Sequence, residues 1–124
     1  MSTPHLILIA DDDREQRECV VELVSGLGVE VLEAETGAEA LSILREHRLH
    51  LALLDQHMPG HTGLELLTFV RDETLHVPCI LLSGEANEIV RKQALHDGAF
   101  AVFKKPFEAA ALRAEVRRAL ALSA

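Results

Sequence analysis

The sequence predicts an α/β fold in which helices cover both faces of a five-stranded parallel sheet. Five short apolar segments of strand length alternate along the chain with five segments of helical periodicity. The strand-like segments are almost continuously apolar, which is typical of parallel strands that are buried on both faces. Repeated βα units with right-handed crossovers build a doubly wound sheet, and we expect that architecture here.

The first two βα units are short and clearly marked. Leu6–Ala10 and Val29–Glu33 are the predicted strands, and Asp13–Ser25 and Ala38–His47 are the predicted helices. In the first of these helices, apolar residues recur at spacings of three, four and seven, which places them on one face. Gly26 follows that helix, where a left-handed backbone conformation costs glycine little.

The other three units repeat the pattern. The predicted strands are Leu51–Leu54, Val77–Leu82 and Phe100–Phe103, and the predicted helices are Leu64–Arg71, Glu88–His96 and Glu108–Leu122. Gly98 marks the end of the fourth helix. Since no linker, low-complexity segment or second domain is evident, we expect residues 1–124 to form a single domain.

The composition excludes several classes of function. The 124 residues carry a net charge of −8, whereas proteins that bind the phosphate backbone of nucleic acids normally present a basic surface. Tyrosine and tryptophan are absent and phenylalanine supplies only four residues, so stacking platforms for bases or flavin rings are nearly lacking. We therefore expect an aliphatic core and no direct contact with nucleic acid.

The two cysteines indicate a reducing environment. Cys19 and Cys79 lie in apolar segments, which predicts small buried hydrophobic residues rather than a disulfide or a nucleophile. The N-terminal residues lack a signal-peptide pattern, and no apolar run reaches the roughly 18 residues of a membrane span. We therefore expect a cytoplasmic protein without membrane association.

Polar residues follow four of the five predicted strands. They are Asp11, Asp12 and Asp13 after the first strand, Asp55 after the third, Ser83 with Gly84 and Glu85 after the fourth, and Lys104 and Lys105 after the fifth. Only the second strand, at the sheet edge, lacks such a residue. Because ligands of doubly wound sheets bind at the carboxyl ends of the strands, we expect these residues to meet there.

Each of these residues also has a local explanation. Asp12 or Asp13 could cap the first helix, with Glu15 completing a capping box. Ser83 could form a turn and Lys105 could be an ordinary solvated residue. The four positions are far apart in sequence, however, and the fold brings them together, which favours a shared function.

The residue types at the strand ends suit phosphoryl transfer. Three clustered carboxylates repel one another unless a cation lies between them, and oxygen ligands suit a hard ion such as Mg²⁺. A carboxylate beside Mg²⁺, a lysine ammonium and a hydroxyl group provide a nucleophile, charge neutralisation and a hydrogen-bond donor.

The motifs at the strand ends resemble those of response-regulator receiver domains, the phosphoacceptor modules of two-component signalling. The matching segments are Ile7-Leu8-Ile9-Ala10-Asp11-Asp12-Asp13, Leu53-Leu54-Asp55-Gln56-His57-Met58-Pro59-Gly60 with Gly63, Leu82-Ser83-Gly84, and Lys104-Lys105-Pro106-Phe107. Each motif is weak alone, but their order and spacing are specific and span almost the whole chain. The resemblance implies a flavodoxin-like sheet of strand order 2-1-3-4-5 with five helices.

The resemblance assigns roles to the residues at the strand ends. Asp55 is then the residue that a histidine kinase or a histidine phosphotransfer protein phosphorylates. Asp12 and Asp55 would bind Mg²⁺ directly, Asp11 would act through water, and the backbone carbonyl of His57 would complete the protein ligands. A domain of this kind modifies only itself, so we do not expect an enzyme acting on other substrates.

Lys105 and Ser83 complete the implied phosphorylation site. Lys105, which directly precedes Pro106, would pair with the phosphoryl group, and the Lys105–Pro106 bond would be cis. Ser83 would donate a hydrogen bond to a phosphoryl oxygen, and Gly84 would leave room for that oxygen. Movement of Ser83 would then shift the face formed by the fourth helix, fifth strand and fifth helix, which partners would read.

The chain departs from the family pattern at two places. Many members carry a tyrosine or phenylalanine three residues before the lysine, whereas Val102 stands there, so we expect the Ser83 loop and helix displacement to carry activation. His57 and Glu85 should border the phosphoryl group, where they would tune its lifetime. A zinc site at His57 and His61 is disfavoured, because two loop imidazoles do not form a tetrahedral set.

Alternative functions and partners remain open from the sequence. A degenerate receiver that serves only as a docking module, a small-molecule phosphatase with an aspartate nucleophile and a flavin-binding module are the alternatives. The phosphatase is disfavoured because such enzymes place a second acid where His57 stands. We expect a downstream protein or an output domain outside the chain, and a dimer could form through the face described above.

Overall fold

The computed structural model describes residues 3–123 of the protein, except for the side chains of residues 122 and 123. The strands are β1 His5–Ala10, β2 Val29–Ala34, β3 Leu51–Asp55, β4 Cys79–Ser83 and β5 Ala101–Lys104. The helices are α1 Arg14–Val24, α2 Gly37–Glu46, α3 Gly63–Asp72, α4 Glu88–His96 and α5 Ala109–Ser123. Strands and helices alternate along the chain, as predicted.

The five strands form one sheet of order β2-β1-β3-β4-β5, in which every neighbouring pair is parallel. The doubly wound architecture and the strand order predicted from the sequence are therefore confirmed. The winding reverses between β1 and β3, which is where ligands bind in sheets of this type.

Two apolar layers enclose the sheet, one on each face. On one face, Leu8, Leu54 and Leu81 pack with buried residues of α2, α3 and α4. On the other face, Ile9 and Leu53 pack with buried residues of α1 and α5. The alternation of side chains along each strand supplies both layers, and β3 is buried along its whole length. The core is aliphatic, as the composition predicts.

Several strand boundaries differ from the predicted ones by one or two residues. Asp55 and Ser83 are the last residues of β3 and β4, rather than the first residues of the loops that follow. Strand β4 begins at Cys79, two residues later than predicted, because Pro78 has no amide hydrogen to pair with a neighbouring strand. Asp55 and Ser83 are therefore held by the sheet itself.

The helix ends follow ordinary capping chemistry. Asp13 is the N-cap of α1, where its side chain accepts a hydrogen bond from the Gln16 amide, so Asp12 is not the cap. A complete capping box occurs at α3 instead, between Thr62 and Glu65. Gly26 has a φ of +84°, which confirms the left-handed conformation predicted after α1.

The prediction for Cys19 is wrong, whereas that for Cys79 is confirmed. Cys79 is buried at the start of β4, but Cys19 is exposed on α1. The buried stripe of α1 consists of Arg17, Val20 and Val24, and Cys19 lies off that stripe. Within residues 3–123, no helix is long and apolar enough to cross a membrane.

Candidate functional site

The sheet register brings the predicted site residues to one level. Ala10 of β1 pairs with Leu54 of β3, so the next residues, Asp11 and Asp55, lie side by side. Ser83 of β4 pairs with Lys104 of β5, and Lys105 follows directly. Residues that are far apart in sequence therefore form one cluster at the carboxyl end of the sheet.

The Lys105 ammonium group lies at the centre of this cluster. Its Nζ donates to Asp55 Oδ1 at 2.5 Å, to Gln16 Oε1 at 2.5 Å and to Asp11 Oδ2 at 3.4 Å. The Lys105 side chain is 21% exposed and that of Asp55 is 7% exposed. Lys105 is therefore not a solvated surface residue but the partner of a buried carboxylate. The Lys105–Pro106 bond is cis, as predicted.

Three carboxylates converge beside Lys105. Asp11, Asp12 and Asp55 each place an oxygen within 4.8 Å of the others, with Asp11 and Asp55 buried and Asp12 exposed. Burial raises the pKa of Asp11, and repulsion by Asp55 adds to this, although the Asp13 amide and Lys105 oppose the rise. One ammonium group leaves this cluster with excess negative charge.

The carboxylate cluster fits a hard divalent cation. All three donors are oxygens, which suit Mg²⁺ or Ca²⁺ rather than a softer metal. The exposed Asp12 leaves one side of the cluster open to solvent, which suits an ion that keeps several water ligands. Burial is the main cause of the raised pKa of Asp11, and a cation here would relieve the repulsion by Asp55 that adds to it.

Ser83 is fully buried at the end of β4. Its Oγ accepts a hydrogen bond from the Glu85 amide at 3.0 Å, which is the turn bond considered from the sequence. The carbonyl of Ser83 accepts the Lys105 amide at 2.9 Å, so the ends of β4 and β5 are linked. The Ser83 hydroxyl still has a proton that can be donated to an incoming oxygen.

The loop after Asp55 is fastened to the start of α3. The Gln56 carbonyl accepts the Gly63 amide at 3.1 Å, and Gln56 Oε1 accepts the Leu64 amide at 2.9 Å. A Cβ at Gly63 would lie 2.9 Å from the Asp55 carbonyl oxygen, so glycine allows this close approach. The main chain of His57 therefore belongs to a constrained loop.

His57 and His61 occupy different surroundings within this loop. His57 Nε2 lies 4.0 Å from Glu85 Oε2, and both side chains are largely exposed. The ring of His61 packs edge-on against Phe69, with ring centroids 5.1 Å apart. His57 and Glu85 thus face each other across the loops after β3 and β4, whereas His61 belongs to the packing of α3.

The two remaining predicted positions lie in the loop after β4 and in β5. A Cβ at Gly84 would meet no atom within 4 Å, so the space beside it is open in this structure. Val102 is buried in the layer beneath α4, and Phe103 points to the opposite face, as strand alternation predicts. The Val102 carbonyl accepts a hydrogen bond from Arg91 of α4 at 3.3 Å.

Comparison with known protein families decides what kind of domain carries this site. The profile of the family described as "Response regulator receiver domain" matches residues 7–117. The chain belongs to this family. It is therefore a receiver domain, the phosphoacceptor module of two-component signalling, and the resemblance seen in the sequence motifs is confirmed.

Individual relatives of this receiver domain are regulators and receiver domains. It is 34% identical over 120 residues to the aerobic respiration control protein ArcA of Escherichia coli and 35% identical over 116 residues to the phosphate regulon transcriptional regulatory protein PhoB of Pseudomonas aeruginosa. These matches cover 97% and 92% of the chain, but only 50% and 51% of the relatives. The chain thus spans about half the length of these two regulators.

A solved structure gives the same result. The signal receiver domain of the putative response regulator NarL from Mycobacterium tuberculosis is 31% identical, with a TM-score of 0.84. The match covers 98% of each chain. The similarity therefore extends over almost the whole receiver domain.

The receiver domain contains polar contacts that reasoning from the sequence missed. Gln16 contacts Lys105, and Arg17 joins the main chain of Asp11 to Glu33 at the end of β2. The edge strand, which the sequence analysis left out of the site, therefore supports it through Arg17. The spacing of Arg17, Val20 and Val24 places the arginine on the buried stripe of α1, and this was the available signal.

Proposed function

We propose that Asp55 accepts a phosphoryl group from a phosphohistidine of a histidine kinase or a histidine phosphotransfer protein. The observation that carries the proposal is the buried Asp55 carboxylate. Its Oδ1 accepts a hydrogen bond from Lys105 Nζ at 2.5 Å, and it lies beside two further aspartates. This arrangement combines a nucleophile with positive charge and a cation site.

The proposed reaction forms one bond and breaks another. A carboxylate oxygen of Asp55 attacks the phosphorus atom, the bond from phosphorus to the donor imidazole nitrogen breaks, and that nitrogen keeps the electron pair. The product is an acyl phosphate on Asp55. Lys105 is already within bonding distance of Asp55, so its ammonium group can neutralise charge on the phosphoryl oxygens without a large movement.

We propose that the carboxylate cluster holds Mg²⁺ during this reaction. Asp12 and Asp55 would be direct ligands, Asp11 would act through water, and the carbonyl of His57 would complete the set. The clustering of the three carboxylates and the constrained loop that contains His57 support this assignment. Bound Mg²⁺ would neutralise negative charge on the phosphoryl oxygens, which supplements Lys105.

The proposed switch begins at Ser83. Its hydroxyl would exchange the turn bond with the Glu85 amide for a bond to a phosphoryl oxygen, and the open space beside Gly84 would admit that oxygen. This change would shift the face formed by α4, β5 and α5. Val102 has no aromatic ring to reorient, so the Ser83 loop and displacement of α4 would carry the signal.

We propose that a downstream partner or an output domain outside the chain reads this face, which could also form a dimer. The exposed Ile89 and Leu95 of α4 support it as a contact surface. The relatives are regulators of about twice this length, which supports an output domain. Cys19 and Cys79 are both free, which supports a location in the reducing cytoplasm.

Phosphorylation by a small-molecule donor tests the proposal without the natural kinase. The protein is incubated with acetyl phosphate, with and without Mg²⁺, beside an Asp55→Asn control, and intact mass is measured. We expect the wild type to gain one phosphoryl group only when Mg²⁺ is present, and the control to gain none. A wild type that gains no phosphoryl group would contradict the proposal and favour a docking role.

A further inference from the structure

Arg17 is a buried charged residue at the back of the site. Its side chain is 7% exposed, although arginine seldom occurs in such a position without partners. It makes three contacts: Nη1 donates to the Asp11 carbonyl at 2.8 Å, Nε donates to Glu33 at 2.8 Å, and Nη2 donates to Glu35 at 3.2 Å. One guanidinium group therefore joins the end of β1 to the end of β2.

The contact with Asp11 differs from the other two in its surroundings. The side chains of Glu33 and Glu35 are 46% and 66% exposed, so water partly solvates the two ion pairs. Asp11 is buried, and the bond from Arg17 to its carbonyl is buried as well. The least solvated arm of the guanidinium therefore holds the peptide group that connects Asp11 to Asp12.

Asp11 is held at every polar group that it has. Its amide donates to the Ala34 carbonyl at 3.0 Å, and its carboxylate accepts from the Asp13 amide at 2.9 Å and from Lys105 at 3.4 Å. Arg17 supplies the remaining contact, at the carbonyl. Without Arg17, the peptide group between Asp11 and Asp12 would lose the hydrogen bond to its carbonyl, which fixes the orientation of that peptide group on the side facing α1.

We propose that Arg17, oriented by Glu33, is a positioning residue for the cation site. By fixing the peptide between Asp11 and Asp12, it sets the separation and direction of their carboxylates, and hence the affinity for Mg²⁺. This inference rests on the proposed function, because it requires that the carboxylate cluster binds Mg²⁺. Residues that orient metal ligands typically alter metal affinity by roughly 10- to 100-fold when they are removed.

A positioning role and a purely electrostatic role of Arg17 make opposite predictions for Mg²⁺ affinity. A positive charge near the cluster repels Mg²⁺, so a purely electrostatic role predicts tighter binding when Arg17 is replaced by a neutral residue. A positioning role predicts weaker binding from the same replacement. The sign of the change therefore separates the two explanations, and the charge-matched variant Arg17→Lys should leave a purely electrostatic effect unchanged.

The test is a titration with Mg²⁺ alone, without a phosphoryl donor. Amide chemical shifts in NMR spectra are measured at each Mg²⁺ concentration and give the affinity. We expect Arg17→Met to weaken Mg²⁺ binding by about tenfold and Arg17→Lys to weaken it by a smaller factor. The spectra also report whether each variant is folded. Affinity within twofold of the wild type in both variants, or tighter binding by Arg17→Met, would overturn the inference.

Two further variants keep failure of the inference distinct from failure of the proposed function. Val24→Ala removes core packing from the same helix without touching the site, and we expect unchanged Mg²⁺ affinity. Asp12→Asn removes a ligand and should lose most of the binding. If the wild type and Asp12→Asn bind Mg²⁺ equally well, the proposed cation site is wrong. If Asp12→Asn loses Mg²⁺ binding as expected but the Arg17 variants keep the affinity of the wild type, only the inference about Arg17 is overturned.

Glu33 offers a second pair of variants if the Arg17 variants do not fold. Glu33→Gln and Glu33→Ala have the same charge, but only the glutamine retains an acceptor for Arg17 Nε. A positioning role predicts that Glu33→Ala binds Mg²⁺ more weakly than Glu33→Gln. Equal affinities of these two variants would contradict the role of Glu33 in orienting Arg17 and overturn the inference.

Discussion

Two segments of the receiver domain flank the site and are built differently, and we name them the anchored half and the switching half. In the anchored half, residues 5–35, the buried Arg17 joins β1, α1 and β2 by three side-chain hydrogen bonds. In the switching half, residues 79–104, α4 buries only Ala94 of its nine residues, all of which the structure describes. One half is suited to hold a cation in a fixed geometry, and the other can change position at small cost in packing.

The attachment of α4 refines this comparison. At its C-terminal end, the Asp97 carboxylate is buried and accepts from Arg71 of α3 at 2.5 Å and from Gln93 at 3.0 Å. Its N-terminal end follows the Ser83 loop and is capped by Asn87, and its further attachments there are the partly buried Val90 and the 3.3 Å hydrogen bond from Arg91 to the Val102 carbonyl. A displacement that starts at Ser83 therefore meets the weakly held end of α4 first, with Asp97 as the fixed point.

The largest expected difference is in thiol reactivity, and it tests whether β4 itself opens. Burial raises the pKa of Cys79 to about 12, whereas Cys19 is exposed. A reagent reaches the buried Cys79 thiol only when the strand opens locally, so at pH 8 Cys79 should react with a thiol reagent on the order of a thousandfold more slowly than the exposed Cys19. Stopped-flow labelling followed by mass spectrometry of each peptide measures both rates.

The same pKa has a consequence for stability. The folded protein keeps the Cys79 proton to a higher pH than the unfolded chain does, so the free energy of unfolding falls as the pH rises above about 9.

The labelling experiment can also contradict the comparison. If both thiols react at similar rates in the native protein at pH 8, β4 opens readily and the assignment of movement to α4 is wrong. Labelling in denaturant should make the two rates equal.

Lys105 connects the two halves, and its replacement should have the next largest effect. In Lys105→Met, the phosphorylation rate with acetyl phosphate should fall by about a hundredfold, because the charge beside Asp55 is lost. Rates are measured by intact mass over time. The matched control is Lys104→Met, a neighbouring exposed lysine, for which we expect a rate close to that of the wild type. Equal rates in both variants would contradict the assigned role.

Packing should differ between the halves by about 2 kcal/mol. Val24 of the anchored half is fully buried, so Val24→Ala should lower the free energy of unfolding by about 2 kcal/mol. Ile89 of the switching half is 79% exposed, so Ile89→Ala should change it by less than about 0.5 kcal/mol. Urea unfolding followed by circular dichroism measures both. A large loss in Ile89→Ala would show that α4 is packed more firmly than the structure indicates.

The smallest effect concerns the lifetime of the acyl phosphate. His57 faces Glu85 at the rim of the site, 4.0 Å apart, where both can affect access of water. We expect His57→Asn to change the dephosphorylation rate by a factor of a few, and the control His61→Asn, which alters a ring packed on Phe69, to leave it unchanged. Loss of the mass increment over time gives the rates. Equal rates in His57→Asn and wild type would remove His57 from the mechanism.

The fold and most of the site could be predicted from the sequence because they depend on local patterns. Apolar strands and amphipathic helices determine the βα order, and the polar residues at the strand ends then meet by topology. The spacing of Arg17 with Val20 and Val24 indicates a buried position for the arginine, but the partners of Gln16 and Arg17 could not be predicted, because they depend on how α1 lies against the sheet edge. The exposure of Cys19 was missed for the same reason, since the orientation of a helix is a property of tertiary packing.

Locating the phosphoryl group tests the central claim most directly. The protein is phosphorylated with acetyl phosphate and Mg²⁺ and reduced with borohydride, which converts an aspartyl phosphate to homoserine. Peptide mass spectrometry then identifies the converted residue. The proposed function predicts conversion of Asp55 alone, with Asp11 and Asp12 unchanged. Conversion of another aspartate, or a phosphoryl group that survives borohydride on a serine or histidine, would contradict it.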